Sequence, residues 1–401
     1  MSRASRVAFT TPAGRAQLAA AVAALVVAAL LLSSCSGAPI VPPTSSTSPA
    51  AAVAGATPVP SAIASSAPTA IPTPTPVSLV EAPTDGMLET AAEAARPVVA
   101  VMIDDAPAAR PQSGLAAADI LIQAPAEGGI PRYMALYQTT PAPAIGPIRS
   151  SRLYFVGWAA QWHALYAHVG GAPNALAALQ QLNGSLVWNA DEYVWASYMP
   201  RITTRVEPHN VYSSTTQLDA LAKRLAVPAA PAPSWSFVDP APPVRRPAAG
   251  ALRVPYPAGV ITYEYDPSTD RYPRSVDGVA QVDPGTGARV APFDVVVVYV
   301  AVGPLLNQPG QPTNQLKGRL ELGYTGSGRA LVLRDGVAVD ARWSKASDGA
   351  PLLLTQASGA GAGTPVQLVR GQVVIQVVSE GTVVTVASAT APRDRGAAAP
   401  R

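Results

Sequence analysis

The chain has 401 residues, with 28 Lys and Arg against 25 Asp and Glu, three His and a single Cys. One thiol excludes an intrachain disulfide, so the fold has to rest on its apolar core. Arg3, Arg6 and Arg15 fall in the first sixteen residues, and 28 less these three leaves 25 cationic against 25 acidic side chains in the remainder, a balance that argues against nucleic acid as a partner.

Met1 to Ala16 is basic with no acidic residue, and Leu18 to Leu32 is an Ala, Leu and Val run of signal-peptide length, short for a membrane span. The run ends in Leu32-Ser33-Ser34-Cys35, which resembles a bacterial lipobox. That resemblance implies a signal peptide over residues 1–34, cleavage before Cys35 and a diacylglycerol thioether on its sulfur. The membrane is then the partner expected at Cys35, and the extracytoplasmic face of the cell membrane the expected location. Buried acyl chains contribute about 0.8 kcal/mol per methylene, so two or three of them hold a soluble domain durably. An uncleaved signal anchor is the alternative, and it exports the same residues. From Ser36 to Val80 there is no charged residue, and Pro, Ser, Thr and Ala dominate. Such a stretch has little to bury, so residues 35–95 are expected to form a disordered tether with a mean span of about 40 Å.

Residues 96–227 are expected to form a mixed α/β domain. Val98 to Ile103 is a continuous apolar run ending in Asp104-Asp105, which reads as a strand buried on both faces that delivers acids to a loop. Ile120 to Ile122, Tyr133 to Tyr137 and Ala164 to Val169 repeat the pattern. Helices are expected over Ser150 to Trp162, Asn174 to Leu182 and Thr215 to Leu225, where apolar residues recur at three- and four-residue spacings. Residues 228–252 are Pro-rich and read as an extended connector. Residues 253–387 are then β-rich, with an alternating Ile261 to Tyr265, a β-branched Val295 to Val300, a hairpin turning at Asp335-Gly336 and a last core strand over Val373 to Val378. Residues 388–401 read as a disordered tail. The whole is an α+β chain, an N-terminal layered α/β sandwich followed by a smaller β-rich domain.

Chemistry-bearing residues concentrate in the first folded region. If Ser150 or Ser151 caps the following helix, Arg149 and Arg152 stand at its positive end, where a cation is disfavoured by about 0.3 to 1 kcal/mol. Something negative is expected there: Asp104, Asp105 or Glu127 in an internal network, or the carboxylate or phosphate of a ligand. His168-Val-Gly170-Gly171 before Pro173 reads as a strand-loop-helix mouth without dinucleotide spacing, in which His168 is either a loop brace or a site residue. His209-Asn210 supplies the other notable histidine, and Glu127 either pairs with Arg132 or acts as a base. Trp188 and Trp195 are the candidates for a sugar platform, although aromatics at such spacings are more often core. No zinc-like spacing and no G-x-S-x-G elbow occurs, so neither a metal nor a cofactor is expected.

Taken together, Ala100 to Asp104, Ala109 to Leu115 with Ala118-Asp119-Ile120, Glu127 to Gly129 with Arg132, Ile145 to Ser150 with Arg152, His168 to Gly171 and Pro208 to Tyr212 resemble the YerB-like bacterial lipoproteins. Beyond the connector, Tyr265-Asp266, Asp283 with Thr286-Gly287, Val295 to Val298 and Gly326 to Gly336 through Trp343 resemble that family's C-terminal domain. The resemblance implies two domains and surface anchoring, and it brings no activity, because the family is of unknown function. Two departures stand out: Asp105 where Asn is the expected type, and Gln123-Ala-Pro125 in place of a Tyr-Glu-Ala run, which removes an acid and weakens a two-carboxylate mechanism. The function expected is an extracytoplasmic binding or scaffold lipoprotein. Its polar cleft would be lined by Asp104, Glu127, Arg132, Arg149, Ser150, Arg152, His168, Gly170, Gly171, His209 and Asn210, and would take an anionic envelope ligand or a partner protein. The alternative is an envelope hydrolase or transferase that uses a histidine as base and the arginines as anion stabilisers. A third reading makes the same residues loop-bracing salt bridges.

Overall fold

The structure, a computed structural model, describes residues 78–248, 250–306 and 317–388. Cys35, the leader and most of the expected tether lie outside the described residues. Among the described residues no helix is long and apolar enough to cross a membrane.

A ten-stranded mixed sheet organises the chain. Its strands are β1 (Val99–Asp104), β2 (Ile120–Ala124), β3 (Arg132–Tyr137), β4 (Leu165–His168), β5 (Trp188–Asp191), β6 (Asp294–Val300), β7 (Gly326–Arg334), β8 (Val337–Lys345), β9 (Leu353–Gln356) and β10 (Val373–Ser379), in the order β9-β8-β7-β6-β10-β2-β3-β1-β4-β5. Every residue of β1, β2, β6 and β4 is buried. Alternate residues go to different cores: Ala100 and Met102 join one hydrophobic cluster, and Val99, Val101 and Ile103 the other. A strand covered on both faces has no solvent side, which is why these segments are mostly apolar, broken only by Gln123 inside β2 and by Asp104, His168 and Asp294 at strand ends. One face is covered by helices α1 (Leu153–Ala160) and α2 (Pro173–Leu182), with Trp158, Trp162, Trp235 and Trp343. The other is covered by helix α3 (Thr215–Arg224) and by a five-stranded antiparallel sheet that includes Gly250–Tyr256 and Gly259–Glu264.

Three expectations need correction. The C-terminal strands do not stand apart as a second sheet domain: β10 runs parallel both to β6 (Val295 opposite Val374) and to β2 (Ile122 opposite Ile375), so strands from both halves share one sheet. The Pro-rich connector is built into the fold. Trp235 is buried with Nε1 donating to the Leu352 carbonyl at 2.6 Å, and Ser236–Val238 pairs with Gln367–Val369. The ordered chain also starts before Arg96, with strands Leu79–Glu81 and Leu88–Thr90 in an antiparallel pair and a short helix Ala91–Ala94 closed by a Thr90/Glu93 capping box. Helix α1 begins three residues later than expected, because Arg152 takes the N-cap with extended backbone and no side-chain cap forms.

Candidate functional site

The site is assembled where β1 ends. Asp104 closes β1 directly opposite Arg132, which opens β3, an arrangement in which opposite charges on neighbouring strands attract. Residues 145–149 run beside this end, with Ile148 bridged to Ile103 and its amide bonded to the Val211 carbonyl. Gly146 makes that approach possible: a Cβ there would stand 2.8 Å from the Tyr212 ring and 2.9 Å from the Val211 carbonyl oxygen. Arg149 is thereby delivered to Asp104. Its Nε and the Nδ1 of His209 both lie 2.9 Å from Asp104 Oδ2, contacts of ion-pair length whose geometry does not reach that of an aligned hydrogen bond.

Glu127 holds the second cluster. Arg152 donates to it bidentately, Nε to Oε1 at 2.6 Å and Nη2 to Oε2 at 2.7 Å, and Arg132 and Arg319 approach to 3.8 and 3.7 Å. Burial pushes the Glu127 carboxyl up, but the Arg152 hydrogen bonds and the charges of Arg152 and Arg132 outweigh it and hold the group below the usual carboxylate range. Arg132 is pushed down to about 10, first by burial and then by the charge of Arg152. Burial and Arg152 also lower Arg319. Arg132 ties the two clusters together by donating to the Ser150 carbonyl at 3.1 Å. Four guanidinium groups thus meet two carboxylates. Among the described residues, Nε and Nη1 of Arg319 make no hydrogen bond. A bidentate acid at the start of α1 answers the electrostatic problem posed by Arg152 at its positive end.

The remaining candidates sit elsewhere. Ser151 caps nothing; its hydroxyl pairs with Tyr166. His168 is fully buried, with Nδ1 2.8 Å from the Gly170 carbonyl oxygen and Nε2 2.7 Å from Asn189 Oδ1, which makes it a brace with no nitrogen left for substrate. Gly170 donates its amide to Asp191, and Gly171 bridges to Ser151. Asn210 accepts from Arg201, whose guanidinium is also clamped by Glu192. Trp188 and Trp195 are partly buried against the core, and Arg224 lies over the Trp195 ring. Cavities of 620, 460, 600 and 340 Å³ are lined by other residues.

Two features escaped sequence reasoning. Arg319 carries no motif of its own. A polar seam lies between the main sheet and the five-stranded one. There the fully buried Arg274 donates to Tyr263 (3.0 Å), Gln123 (2.7 Å) and Gln281, while the fully buried Asp105 accepts from Arg110 (3.0 Å), Gln112 (2.9 Å) and Gln123 (2.6 Å). Burial raises Asp105 against the opposing charges of Arg110 and Arg274. The signal that was available lay in the departures at Asp105 and Gln123, which turn out to be bonded to each other.

Comparison with known proteins agrees with this architecture. Residues 84–227 match the N-terminal domain, and residues 252–375 the C-terminal domain, of a protein of unknown function, DUF3048. The chain is 29% identical over 282 residues to the "Putative lipoprotein YerB" of Bacillus subtilis (strain 168), covering 66% of this chain and 78% of that protein. The crystal structure of the YerB protein from Bacillus subtilis superposes with a TM-score of 0.64 at 25% identity, covering 77% of this chain and all of that one. With both domains matched in order, the chain belongs to the DUF3048 family, whose YerB it resembles in sequence and in fold.

Proposed function

We propose that this protein is an extracytoplasmic lipoprotein, fastened through Cys35, which binds an anionic ligand at the arginine cluster. The observation that supports the reading is the charge count: Arg132, Arg149, Arg152 and Arg319 gather around Asp104 and Glu127, an excess of two positive charges in a partly buried place. Guanidinium forks match carboxylate and phosphate geometry, and a phosphate or uronate arriving there would relieve the repulsion that lowers Arg132. The lipoprotein half of the reading draws on the Leu-Ser-Ser-Cys35 sequence and on the description of the Bacillus relative as a lipoprotein.

The test is calorimetric titration of the full-length chain in detergent with inorganic phosphate and with galacturonate. Binding that weakens with salt and falls at least tenfold in Arg149→Ala is the expected outcome. Absence of heat with either probe, or affinity indifferent to Arg149→Ala, would sink the reading. The contact between Asp104 and His209 favours a second reading, a hydrolase with His209 as base. Turnover of a phosphodiester probe that His209→Ala abolishes would select it over simple binding.

A further inference from the structure

The turn joining strands Leu79–Glu81 and Leu88–Thr90 carries Thr84 and Asp85 inward to meet Asp119, Gln138 and Thr139. Asp85 and Asp119 are 3% and 2% exposed. Gln138 commits both amide hydrogens, to the carbonyls of Ala94 (3.0 Å) and Arg96 (2.8 Å), so its Oε1 can only accept. Thr84 Oγ1 lies 3.1 Å from that oxygen and 2.9 Å from Asp119 Oδ2. Thr139 Oγ1 lies 2.8 Å from both Asp119 Oδ1 and Asp85 Oδ2. These are four contacts between oxygens, and two hydroxyls hold only two hydrogens. With both carboxyls ionised, half the contacts would have no hydrogen, and two buried like charges would face one hydroxyl. A proton on the pair supplies the third.

We propose that Asp85 and Asp119 share a proton through Thr139 and form a latch that fastens the hairpin of residues 79–90 to the main sheet and opens when the proton is lost. The latch therefore governs how firmly the first described strands stay docked on the rest of the fold. Backbone amides complete the latch, Thr139 N donating to Asp119 Oδ2 (3.1 Å), Met87 N to Asp85 Oδ1 (3.1 Å) and Gly371 N to the Asp85 carbonyl (2.8 Å).

Among the described residues, the charged groups of the surrounding elements are already matched. Arg96 faces Glu89 at 3.2 Å, Arg370 faces Glu81 (2.8 Å) and Asp239 (3.0 Å), Glu93 caps its own helix, and Arg271 is stacked on Phe293 with its guanidinium 4.1 Å from the ring centre. None of them supplies the pair with a counter-charge. Burial, and next the charge of Asp85, push Asp119 up to about 7, and burial raises Asp85 as well. A carboxyl raised in the folded state holds its proton where the unlatched chain has lost it. The contribution of the proton is therefore greatest below about pH 4, falls as pH rises toward 7, where the folded carboxyl gives it up, and is gone above that value.

Hydrogen exchange of the hairpin amides in the full-length chain tests this, read as protection factors so that the intrinsic pH dependence cancels. Releasing one proton on opening predicts a loss of protection of about tenfold between pH 6 and 8, at the amides of Ala82 and Gly86, which bond to the Met87 and Ala82 carbonyls. Asp119→Asn, whose amide carries its own hydrogens, is expected to abolish that pH dependence. Protection equal at both pH values in the unsubstituted chain, or a drop that persists in Asp119→Asn, would overturn the latch. If the variant does not fold, the carboxyl carbon-13 shifts of Asp85 and Asp119 in the unsubstituted chain decide: one proton retained at pH 6 supports sharing, and two ionised carboxylates at that pH refute it.

Discussion

Replacing Glu127 by Ala removes the only carboxylate among the described residues that reaches Arg132, Arg152 and Arg319 together. Arg152, 9% exposed, loses both of its short hydrogen bonds to the acid, Arg319 loses the acidic neighbour whose charge opposes its lowering by burial and by Arg152, and Arg132 keeps only Asp104 in that role. Deleting one member of a buried ion pair costs about 3 to 5 kcal/mol, and because Glu127 is one-fifth exposed the lower end, about 3 kcal/mol, is the appropriate figure. Urea unfolding is the assay: with a slope of about 3 kcal/mol per molar for a folded unit of this size, the midpoint should fall by about 1 M. Phosphate in the buffer should then raise the midpoint of Glu127→Ala more than that of the parent, since the vacated place suits an anion. A loss below about 1 kcal/mol would show that the three guanidiniums do not depend on this acid, and the charge argument for the site would fall with it.

Two further outcomes follow from buried polar groups. Because Asp119 is raised from 3.8 to about 7, its folded form binds a proton that the unfolded chain releases near pH 4, so global stability should decline by about 2 kcal/mol from pH 5.5 to 7.5; a flat profile in urea across that range, for a chain that Asp119→Asn does not alter, contradicts the assignment. Arg274→Met should cost about 3 to 5 kcal/mol, because it takes the donor from Gln123 Oε1 and one of two donors from Tyr263, and removes a charge that opposes the raising of buried Asp105. A thermal midpoint within a degree of the parent would mean that the seam tolerates an apolar substitute.

Much of the fold was legible because its strands are covered on both sides. Val295 to Val300 is apolar without interruption and Val373 to Val378 is broken only by Gln376, and they appear as β6 and β10 nearly residue for residue. The hairpin at Asp335-Gly336 announced itself by residues that tolerate positive φ, here 48° and 74°. Pairing was not legible. Nothing in a run such as Val373 to Val378 says that it will lie between residues 294–300 and 120–124, since backbone hydrogen bonds carry no label of sequence distance. The hairpin at 79–90 has strands of three residues, too short for a period to show, and it follows an uncharged Pro-rich stretch that sets the opposite expectation. In the site, the Arg149 and Arg152 anomaly called for an internal acid or an anionic ligand, and Asp104 and Glu127 lie against those two arginines. His168 misled because a histidine beside glycines looks the same whether it faces a ligand or, as here, two internal acceptors. Arg319 arrives from far along the chain and had no local signature.

The position of β10 has a consequence for synthesis. The strand that joins the two halves is the last of the ten to be made, and until residue 379 has emerged from the ribosome both β6 and β2 present a bare edge where their neighbour belongs. A nascent chain in that condition cannot close its main sheet. A premature stop before residue 373 would leave two sticky, half-built pieces in place of a truncated but working molecule.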